Sequence, residues 1–163
     1  MAESGSAGSR AAAPPCTLVI FGATGDLTKR LVMPAIYNLV RGGLLSRNFA
    51  IVGLGRGDQS DQEFSAYLGK EVRGFMQGHE MGGVPVPFDE EAWGFLGSRI
   101  NYLGGDLNDP EIYKQLAANL EKIAAEQGTQ GNVVFYLAVA SSMFGPIVDQ
   151  LGAAGLVDES GGR

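Results

Sequence analysis

The sequence predicts an α/β fold in which helices cover both faces of a parallel sheet, and three observations support this doubly wound arrangement. Four short apolar runs alternate with segments of helical periodicity along the 163 residues. Each connection is long enough to cross over the sheet, as parallel neighbours require. The first apolar run leads into a glycine turn and a helix. A hydrophobic fraction of 45% with 18% charged residues suits one domain with a sizeable core.

The first predicted strand, residues 17–21, is followed at once by the turn GATGDLT. At a strand–turn–helix junction, free backbone N–H groups and the positive end of the helix dipole bind anions. Gly22 allows a tight exit from the strand, and Gly25 has no Cβ to hold a pyrophosphate away from the backbone. The expected ligand is a dinucleotide, and a purely structural turn is the alternative.

The glycine spacing of this turn is G-x-x-G, with Thr28 where the third glycine of G-x-G-x-x-G would stand. The phosphate loop of kinases and ATPases requires G-x-x-x-x-G-K-[ST]. The stretch that ends at Lys29 has no glycine beside the lysine and no Ser or Thr after it. The sequence therefore argues against a kinase or an ATPase.

The next elements follow from periodicity and capping. Residues 27–40 predict a helix that Pro34 should bend. Residues 49–53 form a short apolar run and predict the second strand. Ser60 and Glu63 have the spacing of a capping box, which predicts a helix to about residue 76.

A Gly/Pro-rich stretch, residues 77–87, then breaks the pattern and contains His79, the only histidine. A short helical stretch at residues 90–96 precedes the third predicted strand, residues 100–103. Asp109 followed by proline predicts the start of a helix that runs to about residue 127.

The fourth predicted strand, residues 132–139, is nearly all apolar, which indicates a central strand buried on both faces. A last helix covers roughly residues 143–156. The sequence stops where the alternation predicts a fifth strand, so we expect a fragment of a larger Rossmann-like sheet, truncated after about four strands. Residues 1–15 predict a flexible leader, and residues 16–163 predict the nucleotide-binding domain.

Charge and composition exclude several classes of partner. A net charge of −6 argues against nucleic acid and anionic membranes as ligands, because both require clustered Lys and Arg. No apolar window of about 18 residues predicts a membrane span. The single cysteine, Cys16, cannot form an intrachain disulfide, and no export signal is recognised. The sequence therefore predicts a cytoplasmic protein.

Arg56 follows the second strand and indicates the coenzyme. In a Rossmann unit the end of this strand reaches the adenosine ribose, where an acidic residue selects NAD and an Arg accommodates the 2′-phosphate of NADP. An Arg–phosphate pair contributes about 2 kcal/mol, or roughly 30-fold discrimination. The sequence therefore favours NADP, and a solvated loop residue is the alternative.

Two further strand ends are candidate contact points. Asp106 and Leu107 follow the third strand, at the carboxyl edge of the sheet and beside the adenine half of the ligand. Asp106 could instead be only a turn residue. Tyr136 and Ala138 end the fourth strand, which should approach the ribose on the nicotinamide side, although their composition is simply that of a buried strand.

Five ordered motifs resemble the N-terminal coenzyme domain of the glucose-6-phosphate dehydrogenase family, and the resemblance runs from about residue 17 to residue 157. They are GATGDLTKR, MPAIYNL, AIVGLGR, YLGGDLND and VVFYLAV. The resemblance implies an enzyme that oxidises the C1 hydroxyl of glucose 6-phosphate to the lactone and passes a hydride to NADP, in the oxidative pentose phosphate pathway. It also implies a homo-oligomer for the full-length enzyme.

The resemblance further implies that NADP is bound along the glycine turn, with Arg56 on the 2′-phosphate. The implied contacts are Gly22, Ala23, Thr24, Gly25, Asp26 and Leu27 at the turn, Asp106 and Leu107 near the adenine, and Tyr136 and Ala138 along the fourth strand. These positions agree with those inferred from the strand ends.

The sequence departs from the family pattern in two places. Leu31 stands where such proteins usually carry a Lys that orients substrate and nicotinamide, and rotation of about 100° per residue places Lys29 and Arg30 on other faces of an α-helix. The family's Pro pair after the fourth strand is replaced by Ala140 and Ser141.

We expect no catalytic residue and no metal site in these residues, because the resemblance places the catalytic histidine, the Glu-Lys-Pro segment and the sugar-phosphate site in an absent C-terminal substrate domain. His79 lies far along the sequence from the nicotinamide side and is not expected to act as the general base. The fragment should bind NADP without turnover. A stand-alone NADP-sensing module and a non-binding structural domain are alternatives. A short-chain dehydrogenase is disfavoured, since Tyr67 and Lys70 are one residue short of Tyr-x-x-x-Lys.

Overall fold

A computed structural model describes residues 11–78, 80–81 and 84–159. The predicted alternation of strands and helices is confirmed, and the elements follow in chain order. They are β1 Cys16–Phe21, a π-helical turn Thr28–Val32, α1 Met33–Arg41, β2 Phe49–Gly55, α2 Asp61–Gln77, β3 Glu80–Met81, β4 Val84–Pro85, α3 Glu90–Gly97, β5 Ile100–Gly104, α4 Pro110–Gln127, β6 Val133–Leu137, a 3-10 turn Ser141–Met143 and α5 Phe144–Ala153.

Four of the strands form one parallel sheet in the order β5-β2-β1-β6. The chain adds β2 and β5 on one side of β1 and then returns to add β6 on the other side. Phe21, the last residue of β1, lies level with Leu54 of β2 and Leu137 of β6. The carboxyl ends of the strands therefore meet at one edge, and the order reverses beside β1, where doubly wound sheets bind ligands.

Two apolar cores, one on each face of the sheet, confirm the doubly wound prediction. Ile20 packs with Phe64 and Tyr102 in the core under α1, α2 and α3. Phe21 packs with Leu116 of α4 and other buried side chains of α4 and α5 in the second core. The side chains of alternate residues in each strand therefore pack into opposite cores.

Within the described residues, β6 does not have the central, doubly buried position predicted for residues 132–139. β6 is an edge strand, and the side chains of Val134 and Tyr136 are 52% and 39% exposed. Helices α4 and α5 cover the face of Val133 and Phe135, but the alternate face has no covering element among the described residues. The strand buried along its whole length is β2, which extends two residues beyond the predicted end, to Gly55.

On the opposite edge of the sheet, a side chain caps one outward amide of β5. Asp61, in the first turn of α2, accepts a hydrogen bond from the outward amide of Tyr102 in β5 at 2.6 Å. Ser65, one turn further along α2, donates to the carbonyl of Gly97 at 3.1 Å. A capped amide cannot pair with another strand, so the two edges of the sheet differ in their capacity for strand addition.

Helix starts and breaks follow the capping residues in the sequence. Ser60 and Glu63 form the predicted capping box, and Asp109 caps α4 ahead of Pro110. Just before Pro34, where the sequence predicted a bend, lies a π-helical turn, in which the amide of Met33 bonds to the carbonyl of Thr28. Pro34 has no N–H to offer to an earlier carbonyl, and a wider turn ahead of it accommodates that loss.

Two predicted irregular segments are described only in part. The predicted loop at residues 77–87 contains the short antiparallel pair β3 and β4, and His79 lies outside the described residues. Of the predicted leader, only residues 11–15 are described. There the amide of Ala13 bonds to the carbonyl of Leu44 at 2.9 Å. Among the described residues no helix has the length and hydropathy of a membrane span, and no cluster of metal-ligating side chains occurs.

A matched pair of substitutions tests the contrast between the two strands. Val52→Thr places a hydroxyl in the fully buried β2 and should lower the free energy of unfolding of this chain by about 1–3 kcal/mol. Val134→Thr makes the same change on the open face of β6 and should alter it by less than about 0.5 kcal/mol. Urea unfolding of both variants measures the difference, and equal losses would contradict the edge position of β6.

Candidate functional site

A cleft of about 840 Å³ lies at the carboxyl edge of the sheet, where the turn after β1 faces the ends of β2, β5 and β6. Most of its lining is backbone and small side chains. The lining residues are Gly22, Thr24, Gly25, Gly55, Arg56, Gly57, Gly105, Asp106, Leu107, Asn108, Ala138, Val139, Ala140, Ser142 and Met143.

Gly22 is required at the centre of this cleft for two reasons. Its φ is +80°, a conformation that L side chains rarely adopt, and a Cβ there would lie 2.3 Å from the carbonyl oxygen of Ala138. The amide of Ala138 donates to the carbonyl of Phe21 at 2.9 Å, which holds the end of β6 against the turn. Only glycine lets the backbone of the turn approach the backbone of β6 this closely.

The turn is fixed by hydrogen bonds within itself and to β2. The amides of Gly22 and Ala23 both donate to the carbonyl of Leu54, at 3.0 and 2.9 Å. The hydroxyl of the buried Thr28 donates to the carbonyl of Gly22 at 3.2 Å. Thr28, which replaces the third glycine of the motif, thus helps to hold the turn in shape.

The turn retains a backbone donor that faces no internal acceptor. Among the described residues, nothing accepts a hydrogen bond from the amide of Thr24, which lines the cleft beside Gly25. The helical segment begins just beyond it, so its positive dipole end also lies here. A negatively charged group in the cleft would meet both, as the sequence predicted for a pyrophosphate.

Arg56 lies on the cleft wall directly after β2, on a short loop held by β5. The hydroxyl of Tyr102 donates to the carbonyl of Arg56 at 3.0 Å and to that of Gly57 at 3.3 Å. The amide of Gly105 donates to the carbonyl of Gly55 at 3.0 Å. The backbone that carries Arg56 is therefore fixed from the neighbouring strand.

Asp106 and Leu107 occupy the same wall. One carboxylate oxygen of Asp106 accepts from the amide and the side-chain amide of Asn108, both at 2.9 Å. These two hydrogen bonds, and the positive charge of Arg56, lower the pKa of Asp106. The hydroxyl of Tyr113 donates to the carbonyl of Leu107 at 2.8 Å. Asp106 therefore takes part in a local turn, which was the alternative to a coenzyme contact, and it also lines the cleft.

Seven of the eleven predicted coenzyme contacts line this cleft, namely Gly22, Thr24, Gly25, Arg56, Asp106, Leu107 and Ala138. Ala23 does not, because its side chain is fully buried and its amide is bonded to Leu54. Asp26 and Leu27 lie on the first helical turn, outside the lining. Tyr136 projects onto the open face of β6, one position short of the strand end.

Asp26 has a different partner in this structure. Its carboxylate forms an ion pair with Lys29 at 3.0 Å, and this hydrogen bond lowers the pKa of Asp26. The same hydrogen bond to Asp26, and a further one to Tyr67, raise the pKa of Lys29. Leu31 is 62% exposed within the π-helical turn. The assumption that residues 29–31 follow α-helical rotation is therefore wrong for this turn.

Sequence reasoning missed several lining residues. Gly55 and Gly57 flank Arg56, and the G-x-G spacing within AIVGLGRG was a signal that the backbone is exposed to a ligand there. Ser142 and Met143 belong to the 3-10 turn after β6. No local motif marked these two, because they reach the cleft only through the packing of β6 against β1.

The requirement for glycine at the turn gives a quantitative prediction. Gly22→Ala should destabilise the chain by at least about 3 kcal/mol, because a positive φ and a backbone clash act together. Gly43→Ala is the control: its φ is also positive, +65°, but nothing lies within 4 Å of the added Cβ, so the cost should be about 1 kcal/mol. Thermal and urea unfolding measure both, and equal costs would contradict the close approach.

Comparison with known proteins places this geometry in a family. The family described as "Glucose-6-phosphate dehydrogenase, NAD binding domain" matches residues 19–163. The glucose-6-phosphate 1-dehydrogenase 2 of Mycobacterium tuberculosis is 40% identical over 151 residues, which cover 93% of this chain and 28% of that protein. The glucose-6-phosphate 1-dehydrogenase of Leuconostoc mesenteroides is 33% identical over 146 residues, 89% of this chain and 28% of that protein.

Solved structures agree with the sequence comparison. The crystal structure of glucose-6-phosphate 1-dehydrogenase from Mycobacterium avium superposes with a TM-score of 0.72 at 28% identity, over 89% of this chain and 28% of that one. A glucose-6-phosphate dehydrogenase in complex with its substrate glucose 6-phosphate gives 0.74 at 27% identity, over 93% and 30%. The chain thus spans about 28% of the length of the curated relatives named above. The match over residues 19–163, together with the shared fold, shows that this chain belongs to the glucose-6-phosphate dehydrogenase family and corresponds to its NAD-binding domain.

Proposed function

We propose that the cleft binds NADP and that this chain is the coenzyme-binding part of an enzyme that oxidises glucose 6-phosphate. The observation that carries the proposal is the close backbone approach at Gly22, which opens the centre of the cleft to an anion. The family supplies the nicotinamide coenzyme class, and the relatives' names supply the sugar phosphate.

The residues of the cleft fit a dinucleotide. Glycines 22, 25, 55, 57 and 105 leave its floor and walls without Cβ atoms, and a volume of about 840 Å³ accommodates a ligand of that size. The amide of Thr24 and the dipole of the helix that follows suit the pyrophosphate. The apolar lining beyond β6, which includes Ala138, Val139 and Met143, suits the flat face of a nicotinamide ring.

The bound nicotinamide would supply the hydride acceptor for oxidation of the sugar hydroxyl. The residues of this chain bind and orient. The amide of Thr24 would bind the diphosphate, for which Gly22 leaves room, and Arg56 would meet the adenosine end beyond β2. At the β6 end the cleft is lined by Ala138, Val139, Ala140, Ser142 and Met143, none of which is a general base near neutral pH.

Arg56 supports NADP over NAD. It is exposed on the cleft wall after β2, where the dinucleotide fold brings the adenosine ribose, and an acidic residue that would select NAD does not occupy that position. A guanidinium can bind the 2′-phosphate through two parallel hydrogen bonds. Because the chain has a net charge of −6, its overall electrostatic field does not attract a phosphate. The attraction would come locally, from the guanidinium of Arg56.

The proposal extends to the whole protein of which this chain corresponds to a part. Glucose 6-phosphate is the proposed substrate, since the relatives are named for it. The oxidative pentose phosphate pathway is the proposed context, and a cytoplasmic homo-oligomer the proposed state. The single cysteine, Cys16, cannot form an intrachain disulfide, which suits a reducing compartment.

Calorimetric titration tests the coenzyme. This chain should bind NADP at least about tenfold more tightly than NAD, because the 2′-phosphate pairs with Arg56. Arg56→Ala should abolish the preference and leave NAD binding within about twofold. Arg47→Ala, an equal change of charge at a side chain that lies over Phe95 away from the cleft, is the control and should change neither affinity. Equal affinities for the two coenzymes in the unmodified chain would refute NADP selectivity.

Turnover is a separate test. The purified chain, supplied with glucose 6-phosphate and NADP, should form no NADPH, because the described residues at the β6 end of the cleft include no general base for the hydroxyl proton. Absorbance of NADPH gives the measurement, with a full-length relative as the positive control. NADPH formation that requires the sugar phosphate would show that the described cleft contains catalytic groups which we have not assigned.

A further inference from the structure

We propose that Tyr102 is a positioning residue: by holding the loop that carries Arg56, strand β5 contributes to the selection of the 2′-phosphate. The inference rests on the proposed function, because it concerns the same cleft and the same coenzyme. It adds a buried residue, outside the lining of the cleft, to the groups that set specificity.

The contact between Tyr102 and the loop is direct. The hydroxyl lies 3.0 Å from the carbonyl oxygen of Arg56 and 3.3 Å from that of Gly57. One hydroxyl has one proton, so the two carbonyls share a bifurcated hydrogen bond. The side chain of Gln59 is hydrogen-bonded to the same hydroxyl. The hydroxyl of Tyr102 thus contacts three positions of the loop, residues 56, 57 and 59.

Tyr102 is itself immobilised, which is necessary if it is to position another residue. Its side chain is 6% exposed, and its ring packs against Phe64 with 4.6 Å between the ring centroids. Its amide donates to Asp61 at 2.6 Å. Burial raises the pKa of Tyr102, so the hydroxyl stays protonated and remains a donor at neutral pH.

The loop needs such a restraint. Gly57 has a φ of +92°, and nothing lies within 4 Å of the position of its missing Cβ, so no packing fixes it on that side. On the other side the carbonyl of Gly57 lies so close to Gly104 that a Cβ there would be 2.1 Å from it. The loop is therefore held between the backbone of Gly104 and the hydroxyl of Tyr102, and Arg56 is exposed at its tip.

Loss of the restraint by Tyr102 should affect recognition of only one part of the ligand. A shift of the Arg56 backbone changes where the guanidinium lies, whereas the turn at Gly22 and Thr24 is held by β2 and β6. Loss of the Tyr102 hydroxyl should therefore weaken recognition of the 2′-phosphate and spare recognition of the diphosphate. A general structural role would weaken both.

The experiment compares two small probes, 2′,5′-ADP and ADP, which differ only in the 2′-phosphate. Calorimetry on this chain measures both affinities for the unmodified protein, Tyr102→Phe, Arg56→Ala and the double variant. Tyr37→Phe is the matched control, since it removes an equally buried hydroxyl that accepts from the amide of Asp89 at 2.6 Å, away from the cleft. Thermal unfolding of each variant is recorded in parallel.

We expect Tyr102→Phe to reduce the preference for 2′,5′-ADP over ADP by about three- to tenfold, with ADP affinity within about twofold. Tyr37→Phe should leave the preference unchanged. Adding Tyr102→Phe to Arg56→Ala should cause no further loss, because a positioning residue has nothing left to position.

Three outcomes would overturn the inference. If Tyr102→Phe keeps the full preference while Arg56→Ala loses it, the proposed coenzyme function stands and the role of Tyr102 is refuted. If both probes weaken equally, Tyr102 is only structural. If the unmodified chain binds neither probe, the proposed function fails and the inference fails with it.

A second variant covers the case in which Tyr102→Phe does not fold. Gly57→Ala strains the loop at its positive φ without any steric contact, and it leaves the ring of Tyr102 in place. It should lower the preference for 2′,5′-ADP over ADP, and because Gly57 itself lines the cleft, the readout is the ratio of the two affinities. An unchanged preference in a folded Gly57→Ala protein would show that the loop conformation does not set recognition, which also overturns the inference.

Discussion

The fold around the cleft depends on one close approach, that of the Gly22 backbone to the carbonyl of Ala138. A Cβ at Gly22 would lie 2.3 Å from that oxygen, so the end of β6 can reach the turn after β1 only if no side chain intervenes. The hydrogen bond from the amide of Ala138 to the carbonyl of Phe21 depends on the same approach. The contact therefore fixes how the end of β6 meets the turn at the centre of the cleft.

Because the sheet is parallel, this contact lies at the edge where the other strands also end. Strands that run in the same direction end at the same edge, so the turn after β1 and the loops after β2, β5 and β6 border one cleft. In a chain with a net charge of −6, an anion is attracted mainly by backbone donors, a helix dipole and Arg56. Local geometry therefore outweighs the overall charge in determining which ligand the cleft accepts.

Local sequence signals predicted most of the fold, and long-range packing explains what they missed. The glycine turn, the capping box at Ser60 and the proline start of α4 each depend on neighbours within a few residues. The edge position of β6 depends on which strands pair, and an apolar composition cannot report that. Tyr102 contacts the loop after β2 across 46 positions of sequence, so no motif contains both. The same limit applies to Ser142 and Met143 in the cleft.

The two edges of the sheet differ in how they can meet a further strand. On β5, the carboxylate of Asp61 accepts the hydrogen bond of the outward amide of Tyr102. On β6, Val134 and Tyr136 lie on a face that no described element covers. A further strand, from the same polypeptide or from another, would therefore find open pairing groups beside β6 and a capped amide on β5. The sheet of the described residues thus has a preferred direction of growth, away from β5.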